Sequence, residues 1–252
     1  MRAPRPLFLG PRAVTLRGGH VLLQPISRRD AAELACVPDD EGWDMLLRRP
    51  AGDGASSDEW LAEAIRGVRR GTERCWTIRD AVDGRLLGST RYLNIDLANS
   101  RLEIGATWLL PEARCSVANA ETKLLLIDYA FDRLGMRRVH IQADVRNERS
   151  RRAIESLGAT YEGVLRAHIV LPDGSSRDTA VYSIVASEWH ELRPALVERV
   201  AARGADWRLR ESSLVAAEAP AAMGRFEAGA LTVTEVFAGA EPGFGDIVGL
   251  TA

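Results

Sequence analysis

The stretch NAETKLLLIDYAFDRLGMRRVHIQADVRNERSRRAIESLGA, residues 119–159, decides the fold of this chain. It begins with apolar residues at helical spacing, and Gly135 follows them as a residue suited to end a helix. Residues 139–145 then alternate between apolar and polar, which predicts a strand. Asn147 is suited to cap a second helix, because its side-chain oxygen can accept a hydrogen bond from a first-turn amide. The stretch therefore predicts a helix, a strand and a helix in succession.

The segments on both sides of this stretch predict further strands and helices. Strands are predicted at residues 13–26, 75–79, 85–94, 101–110, 160–171 and 178–186, and helices at residues 27–36, 57–71 and 187–202. Residues 38–57 are rich in Gly, Asp and Pro, which predicts a loop. This mixed order predicts an α/β (α+β) domain with a central sheet and helices on both faces.

The composition changes at Gly204. Residues 204–252 contain the low-complexity run AAEAPAAMGRFEAGA and one strand-like run at residues 230–237. We expect one domain over residues 1–203. Residues 204–252 are expected to form a C-terminal low-complexity tail that is partly disordered or docked by one strand.

Composition and charge exclude several classes of protein. The chain of 252 residues is 46% hydrophobic and can bury a substantial core. Its net charge of −2 provides no electrostatic footprint for nucleic acid, and no apolar run is long enough to span a membrane. The three cysteines are an odd number without metal-ligand spacing, which suits a reducing compartment. We therefore expect a cytoplasmic protein without nucleic acid, membrane or metal as a partner.

Residues 119–159 resemble the acyl-CoA-binding half of the GNAT superfamily of N-acetyltransferases. The likeness is greatest to the RimJ/RimL-like branch, which acetylates the N-termini of ribosomal proteins and assorted small amines. Residues 16–26, 102–109 and 177–183 resemble the opening, fourth and closing strands of that branch, so the resemblance covers residues 13–203. It implies the GNAT fold, a mostly antiparallel mixed sheet of about six to seven strands with helices on both faces.

The resemblance also implies the reaction and its partners. Acetyl-CoA, or another acyl-CoA, is the expected co-substrate, and no metal is needed. The expected acceptor is a primary amine, on a small molecule or at a peptide N-terminus, which attacks the thioester directly. The protein is expected to act as a monomer or a homodimer.

A loop just before the long helix is the predicted pyrophosphate site. The family pattern there is Arg/Gln-x-x-Gly-x-Gly/Ala, and the residues in this chain are Arg114, Cys115, Ser116, Val117, Ala118 and Asn119. Backbone amides and the positive end of the helix dipole bind phosphate at such a position. Arg114 matches the pattern, whereas Val117 and Asn119 replace the two small residues. Because Val117 is β-branched, we expect it to crowd the phosphate and weaken donor binding; alternatively, the loop only caps the helix.

Asn147 and Ser150 match the Asn-x-x-Ser pattern of the family. The resemblance implies that the asparagine side chain bonds the pantetheine arm of the donor, although ordinary helix capping explains it equally. Many members carry a tyrosine general acid in this helix, at the position of Ile154 here. In the ribosomal-protein branch the serine is a substitute, so Ser150 is the candidate acid.

Glu103 is the candidate general base. Acyl transfer to an amine needs a free amine, a polarised thioester carbonyl and a proton for the leaving thiolate. Strand alternation places Glu103 on one face with Gly105 and Thr107, and places Leu102, Ile104, Ala106 and Trp108 on the other. The family often uses a glutamate here as the base, while the alternative is a surface glutamate of a half-exposed sheet. His140 is predicted to be a structural histidine.

Three functional hypotheses follow from these residues. The leading one is an N-acyltransferase that moves an acetyl or acyl group from acyl-CoA to a primary amine. A second keeps the fold but takes the acyl group from a carrier protein or another non-CoA donor. A third is a non-catalytic GNAT-fold binding protein whose CoA loop is degraded.

Overall fold

The computed structural model describes residues 14–38, 46–47, 54–171, 173–215 and 236–237. Within them, nine strands are formed: β1 (Val14–Arg17), β2 (Val21–Pro25), β3 (Arg74–Asp80), β4 (Leu86–Asp96), β5 (Arg101–Leu109), β6 (Arg138–Asp144), β7 (Thr160–Val170), β8 (Ser176–Val185) and β9 (Val236–Phe237). The helices are α1 (Ala31–Ala35), α2 (Gly54–Arg70), α3 (Val117–Asp128), α4 (Glu148–Glu155) and α5 (Ala186–Val215). A π-helical turn, Tyr129–Arg133, extends α3.

The strands form one sheet in the order β7-β8-β6-β5-β4-β3-β2-β1-β9. All neighbours are antiparallel except β5 and β6, which are parallel. The predicted fold class, a mixed α/β domain with a mostly antiparallel sheet, is confirmed. The predicted strand count is too low, partly because residues 13–26 are two strands joined by a tight turn at Gly18 and Gly19.

The sheet is covered on both faces. On one face α3 is buried almost completely, with Leu124 and Leu126 in a large cluster that also holds Leu102 and Ile104 of β5. On the other face α1 and α2 cover a smaller cluster, in which Trp60 of α2 meets Trp108 of β5 edge to face at 6.1 Å. Apolar burial on both faces explains why the central strands lack a clean polar alternation.

Two predicted boundaries are wrong. Helix α2 starts at Gly54 rather than Ser57, within the predicted loop. Helix α5 continues to Val215, well past residue 203. Gly204 lies against His20, since a Cβ placed on it would be 2.3 Å from Nε2 of that ring. This glycine, two residues past the predicted helix end, thus lies within α5 and allows the close approach of the His20 ring.

Residues after Arg203 also contact the rest of the domain. Trp207 packs against the main cluster, and the Arg85 guanidinium lies 5.6 Å from its ring centroid. Of the strand-like run at residues 230–237, the structure describes Val236–Phe237, which pairs antiparallel with β1. The rest of the predicted tail beyond α5 lies outside the described residues.

A bulge in β5 places the side chains after Gly105 on the opposite faces of the sheet from those predicted. Arg91 pairs with Gly105 and Ser89 pairs with Trp108, so Ala106 and Thr107 together oppose one residue of β4. Ala106 adopts a left-handed φ of +46°. The predicted alternation is therefore wrong beyond Gly105. Thr107 faces α3, and Trp108 faces α2.

Candidate active site

A cleft opens where the two parallel strands separate. β5 and β6 pair at three positions, the last of which joins Glu103 to His140. Beyond that position the strands diverge, and a cleft of about 910 Å³ lies between β5, β6 and the starts of α3 and α4. Residues from both faces of the sheet line this cleft, which therefore extends through the gap between the two strands.

Most of the predicted site residues meet in this cleft. Its lining includes Glu103, Arg114, Cys115, Ser116, Asn119, Asn147 and Ser150. Val117 and Ala118 do not line it, because both side chains are 1% exposed and belong to the main core cluster. The expectation that the Val117 side chain crowds the donor is therefore wrong: this side chain lies on the inner side of the helix.

The predicted phosphate loop is a well-formed helix start. Ser116 is the N-cap of α3, and its Oγ accepts from the Ala118 amide at 3.0 Å and donates to the Ala113 carbonyl at 2.7 Å. The Val117 and Asn119 amides have no intrahelical carbonyl to bind, as in any first helical turn. Together with the helix dipole they form a site suited to an anion.

Cys115 is the residue of this loop that adopts a left-handed backbone conformation. Its φ is +58°, the left-handed region in which glycine is favoured. The family pattern placed the requirement for a small residue at position 117 instead. In this structure the position that favours glycine is thus residue 115, two residues before Val117, and it is occupied by an exposed cysteine.

Arg114 and two arginines of α4 supply positive charge near the helix start. Arg114 donates from Nε to the Leu109 carbonyl at 3.1 Å, which ties it to the end of β5. Arg149 and Arg152 are exposed on α4 and line the same cleft. This end of the cleft is consequently cationic.

Asn147 is confirmed as a helix cap. Its side-chain oxygen accepts from the Ser150 amide at 2.9 Å. Capping engages only the oxygen, so the NH₂ group of this side chain retains its two donors. Ser150 lies in the first turn of α4, and Ile154 is buried one turn further along at the cleft wall.

Glu103 lies at the opposite end of the cleft, on the face covered by α2. It is 8% exposed, and its Oε2 accepts from Asn94 Nδ2 at 2.8 Å and lies 3.3 Å from His140 Nε2. A Cβ on Gly105 would lie 2.9 Å from Glu103 Oε1, so the carboxylate occupies space that the glycine leaves open. His140, predicted to be structural, directly faces the candidate base.

Sequence reasoning missed Lys123. This residue is on α3, 5% exposed, and its Nζ donates to Thr107 Oγ1 at 2.7 Å at the edge of the cleft. Thr107 Oγ1 is in turn 2.8 Å from Thr90 Oγ1. Burial lowers the pKa of Lys123 from 10.5 to about 7. The available signal was that this is the only lysine of the chain and that apolar helix residues follow it directly.

Charged side chains also line the end of the cleft near Glu103. Glu73 is 8% exposed, and its Oε2 is 3.0 Å from Arg91 Nη1. Arg177 is 6% exposed, and burial lowers its pKa. Leu93 and His168 complete this end. In the described ranges, no group of three or more His, Cys, Asp or Glu residues is placed to hold a metal ion.

Comparison with known proteins identifies the class to which this fold and cleft belong. A GCN5-related N-acetyltransferase from Brucella melitensis superposes with a TM-score of 0.69 at 29% identity, covering 78% of this chain and 87% of that one. A candidate acetyltransferase from T. thermophilus superposes with a TM-score of 0.64 at 34% identity, covering 73% and 96%. These are transferase structures with the same arrangement of sheet and helices.

The family follows from the sequence match. The family described as an acetyltransferase (GNAT) domain matches residues 20–160, more than half of the chain. The chain belongs to the GNAT acetyltransferases. YdaF of Bacillus subtilis (strain 168), a candidate ribosomal N-acetyltransferase, is 36% identical over 107 residues, 42% of this chain. The match spans 57% of that relative's length. No helix in the described part of this chain is long and apolar enough to cross a membrane.

Proposed function

We propose that this protein transfers an acetyl group from acetyl-CoA to the primary amine of a peptide N-terminus or a small molecule. The observation that carries the proposal is the cleft itself. It has a helix start suited to an anion at one end and a buried carboxylate at the other, joined by an opening between two diverging strands. Direct transfer needs both substrates to meet, and an opening through the sheet lets them do so.

The donor end fits the acidic part of acetyl-CoA. The pyrophosphate is assigned to the Val117 and Asn119 amides, with Arg114 beside them, because such a helix start binds phosphate through amides and dipole. Arg149 and Arg152 are placed to meet a further phosphate. The pantetheine arm would then run along β5, with Asn147 on its other side.

The bulge in β5 is the proposed site of carbonyl polarisation. Ala106 and Thr107 fall outside the regular pairing with β4, so backbone donors there are freed from the ladder. A donor held rigidly toward the thioester oxygen stabilises the charge that develops on it during attack.

Glu103 is the proposed base, and Ser150 remains the candidate acid. An acceptor amine arrives as an ammonium and must lose a proton before it attacks. Glu103 is positioned for this by Asn94 and His140, and the carboxylate itself attracts the ammonium. The YdaF relationship favours a ribosomal-protein N-terminus as the acceptor.

Calorimetry with acetyl-CoA, followed by thiol release in the presence of N-terminal peptides, tests the proposal. We expect binding of one acetyl-CoA per chain and release of CoA only when a peptide with a free N-terminus is added. An N-terminally blocked peptide of the same sequence is the matched control. Failure to bind acetyl-CoA would favour a carrier-protein donor, and binding without transfer to any amine would favour a non-catalytic role.

A further inference from the structure

The proposed reaction needs an acid at the leaving sulfur, and the cleft holds a better one than Ser150. An acid works best when its pKa is close to the working pH, and a serine hydroxyl does not titrate there. Lys123 lines the same cleft as Ser150, and its amine changes charge in the neutral range. The two residues approach the cleft from different helices, α3 and α4.

The position of Lys123 places it beside the path of the donor. It is six residues into α3, about 9 Å along the helix from the proposed pyrophosphate site at a rise of 1.5 Å per residue. Its Nζ contacts Thr107, which lies immediately after the bulge. Glu103 is four residues away on β5, about 13 Å at most. The Lys123–Thr107 contact and Glu103 therefore lie on the same stretch of β5, along which the pantetheine arm is proposed to run.

The surroundings of Lys123 are unusual for a lysine. Its Nζ is hydrogen-bonded to a hydroxyl, and burial is the cause of its lowered pKa. The charged and titratable side chains that line the same cleft are Glu103 of β5, Asp144 of β6, His168 of β7, Arg177 of β8, Arg114 and Cys115 before α3, Arg149 and Arg152 of α4, Arg203 of α5 and Glu73 before β3. A buried ammonium that has a hydroxyl rather than a carboxylate as its partner gains most from an anion supplied by a ligand.

We infer that Lys123 is the acid that protonates the departing CoA thiolate, an inference that rests on the proposed function. The acceptor nitrogen attacks the thioester carbon, the C–N bond forms, the C–S bond breaks and its electron pair goes to sulfur. The Lys123 ammonium gives that sulfur a proton and becomes a neutral amine. Glu103 takes one proton from the acceptor ammonium, the second passes to water as the amide forms, and Lys123 regains a proton from water.

Because Lys123 is the only lysine, the full chain labelled with ε-¹³C-lysine gives one lysine resonance that reports its titration directly. The midpoint is measured for the free protein, with CoA, and with S-methyl-CoA, which has the same phosphates but no acidic thiol. We expect a midpoint near 7 in the free protein and, with CoA but not with S-methyl-CoA, a second step of the lysine resonance at higher pH, where the neighbouring thiol ionises. The difference isolates the sulfur, since the phosphate charges are identical in the two ligands.

The outcomes separate the inference from the function on which it rests. If neither ligand perturbs the resonance or binds in calorimetry, the proposed function fails and the inference fails with it. If both bind and CoA gives no second step, the sulfur is not beside Lys123, and the inference alone is overturned.

Two variants add a kinetic readout. Lys123→Met removes the proton, and Lys123→Arg keeps the charge but does not release a proton in the neutral range. With the peptide acceptor of the transfer assay we expect both to lower kcat by about 10²-fold or more, with little change in KM for acetyl-CoA. Ser150→Ala is the matched control for the rival acid and should lower kcat much less. Wild-type kcat in Lys123→Arg would overturn the inference.

Discussion

Glu103 and His140 face each other at the last paired position of β5 and β6, with 3.3 Å between Oε2 and Nε2. The candidate base therefore lies where the strands begin to part, hydrogen-bonded by Asn94 of β4 and close to His140 of β6. A carboxylate fixed in this way keeps its orientation while one oxygen remains available to an incoming amine. The arrangement makes the role of Glu103 directly testable.

Glu103→Gln should lower turnover by about 10²–10⁴-fold at neutral pH, because it keeps the shape and removes the basicity. The loss should shrink at high pH, where the acceptor is already a free amine. Acetyl-CoA affinity should hardly change, since the helix start lies at the other end of the cleft. Steady-state kinetics across pH provides the measurement, with Glu191→Gln on the exposed face of α5 as the control. Near-normal turnover of Glu103→Gln at all pH values would show that the base lies elsewhere.

Two glycine substitutions in the predicted pyrophosphate loop should change the stability of the fold in opposite directions. Cys115→Gly removes the left-handed strain of a residue with a Cβ and should stabilise the fold by about 1 kcal/mol. Val117→Gly removes a buried side chain and should destabilise it by about 2 kcal/mol or more, without tightening acetyl-CoA binding. Denaturant unfolding and calorimetry on both variants distinguish the two positions. A tighter complex with Val117→Gly would restore the crowding interpretation.

Lys123→Met should stabilise the protein, most strongly at low pH. The folded-state pKa of about 7 lies below the usual 10.5, so the unfolded chain binds more protons between these values. The free energy of unfolding of the wild-type protein therefore rises as the pH rises from about 7 toward 10.5. Below pH 7 the buried Lys123 ammonium destabilises the fold to its full extent. We expect a rise in Tm for Lys123→Met at pH 6 that declines steadily toward pH 10. An equal Tm shift at both pH values would contradict the lowered pKa.

Truncation after Arg203 should lower the Tm much more than truncation after Val215. The shorter chain loses Trp207, which packs on the core, and the contact of Gly204 with His20. The longer chain keeps all of α5 and loses only the pairing of β9 with β1 in the described residues. Trp207→Ala in the full chain is the matched control and should reproduce part of the loss. Equal Tm values for the two truncations would place the domain end at residue 203.

The fold was predictable because its central elements carry strong local signals. The helix–strand–helix of residues 119–159 combines helical periodicity, an Asn cap and a glycine stop, and all of these agree with the structure. The end of α5 was less predictable. The composition changes at Gly204, yet the helix continues to Val215. Gly204 admits the His20 ring, a contact between distant parts of the chain that no local pattern encodes.

The sequence predicted which residues lie together in the site better than it predicted the direction of their side chains. Seven of the candidate residues line one cleft. The bulge at Ala106 could not be inferred, because nothing in the alternation of β5 marks an extra residue. Lys123 was missed because a lysine in a helix is ordinarily solvent-exposed, and its burial depends on packing against β5.

The opening through the sheet also bears on how the two substrates come and go. Arg114 and Lys123 line it from the α3 side, whereas Leu93 and Asn94 line it from the α2 side. Neither ligand then has to leave before the other arrives, and neither product is trapped behind its partner. Such a passage favours a ternary complex in which the two substrates bind in either order. We expect intersecting initial-rate plots and inhibition by the product CoA that is competitive only against acetyl-CoA.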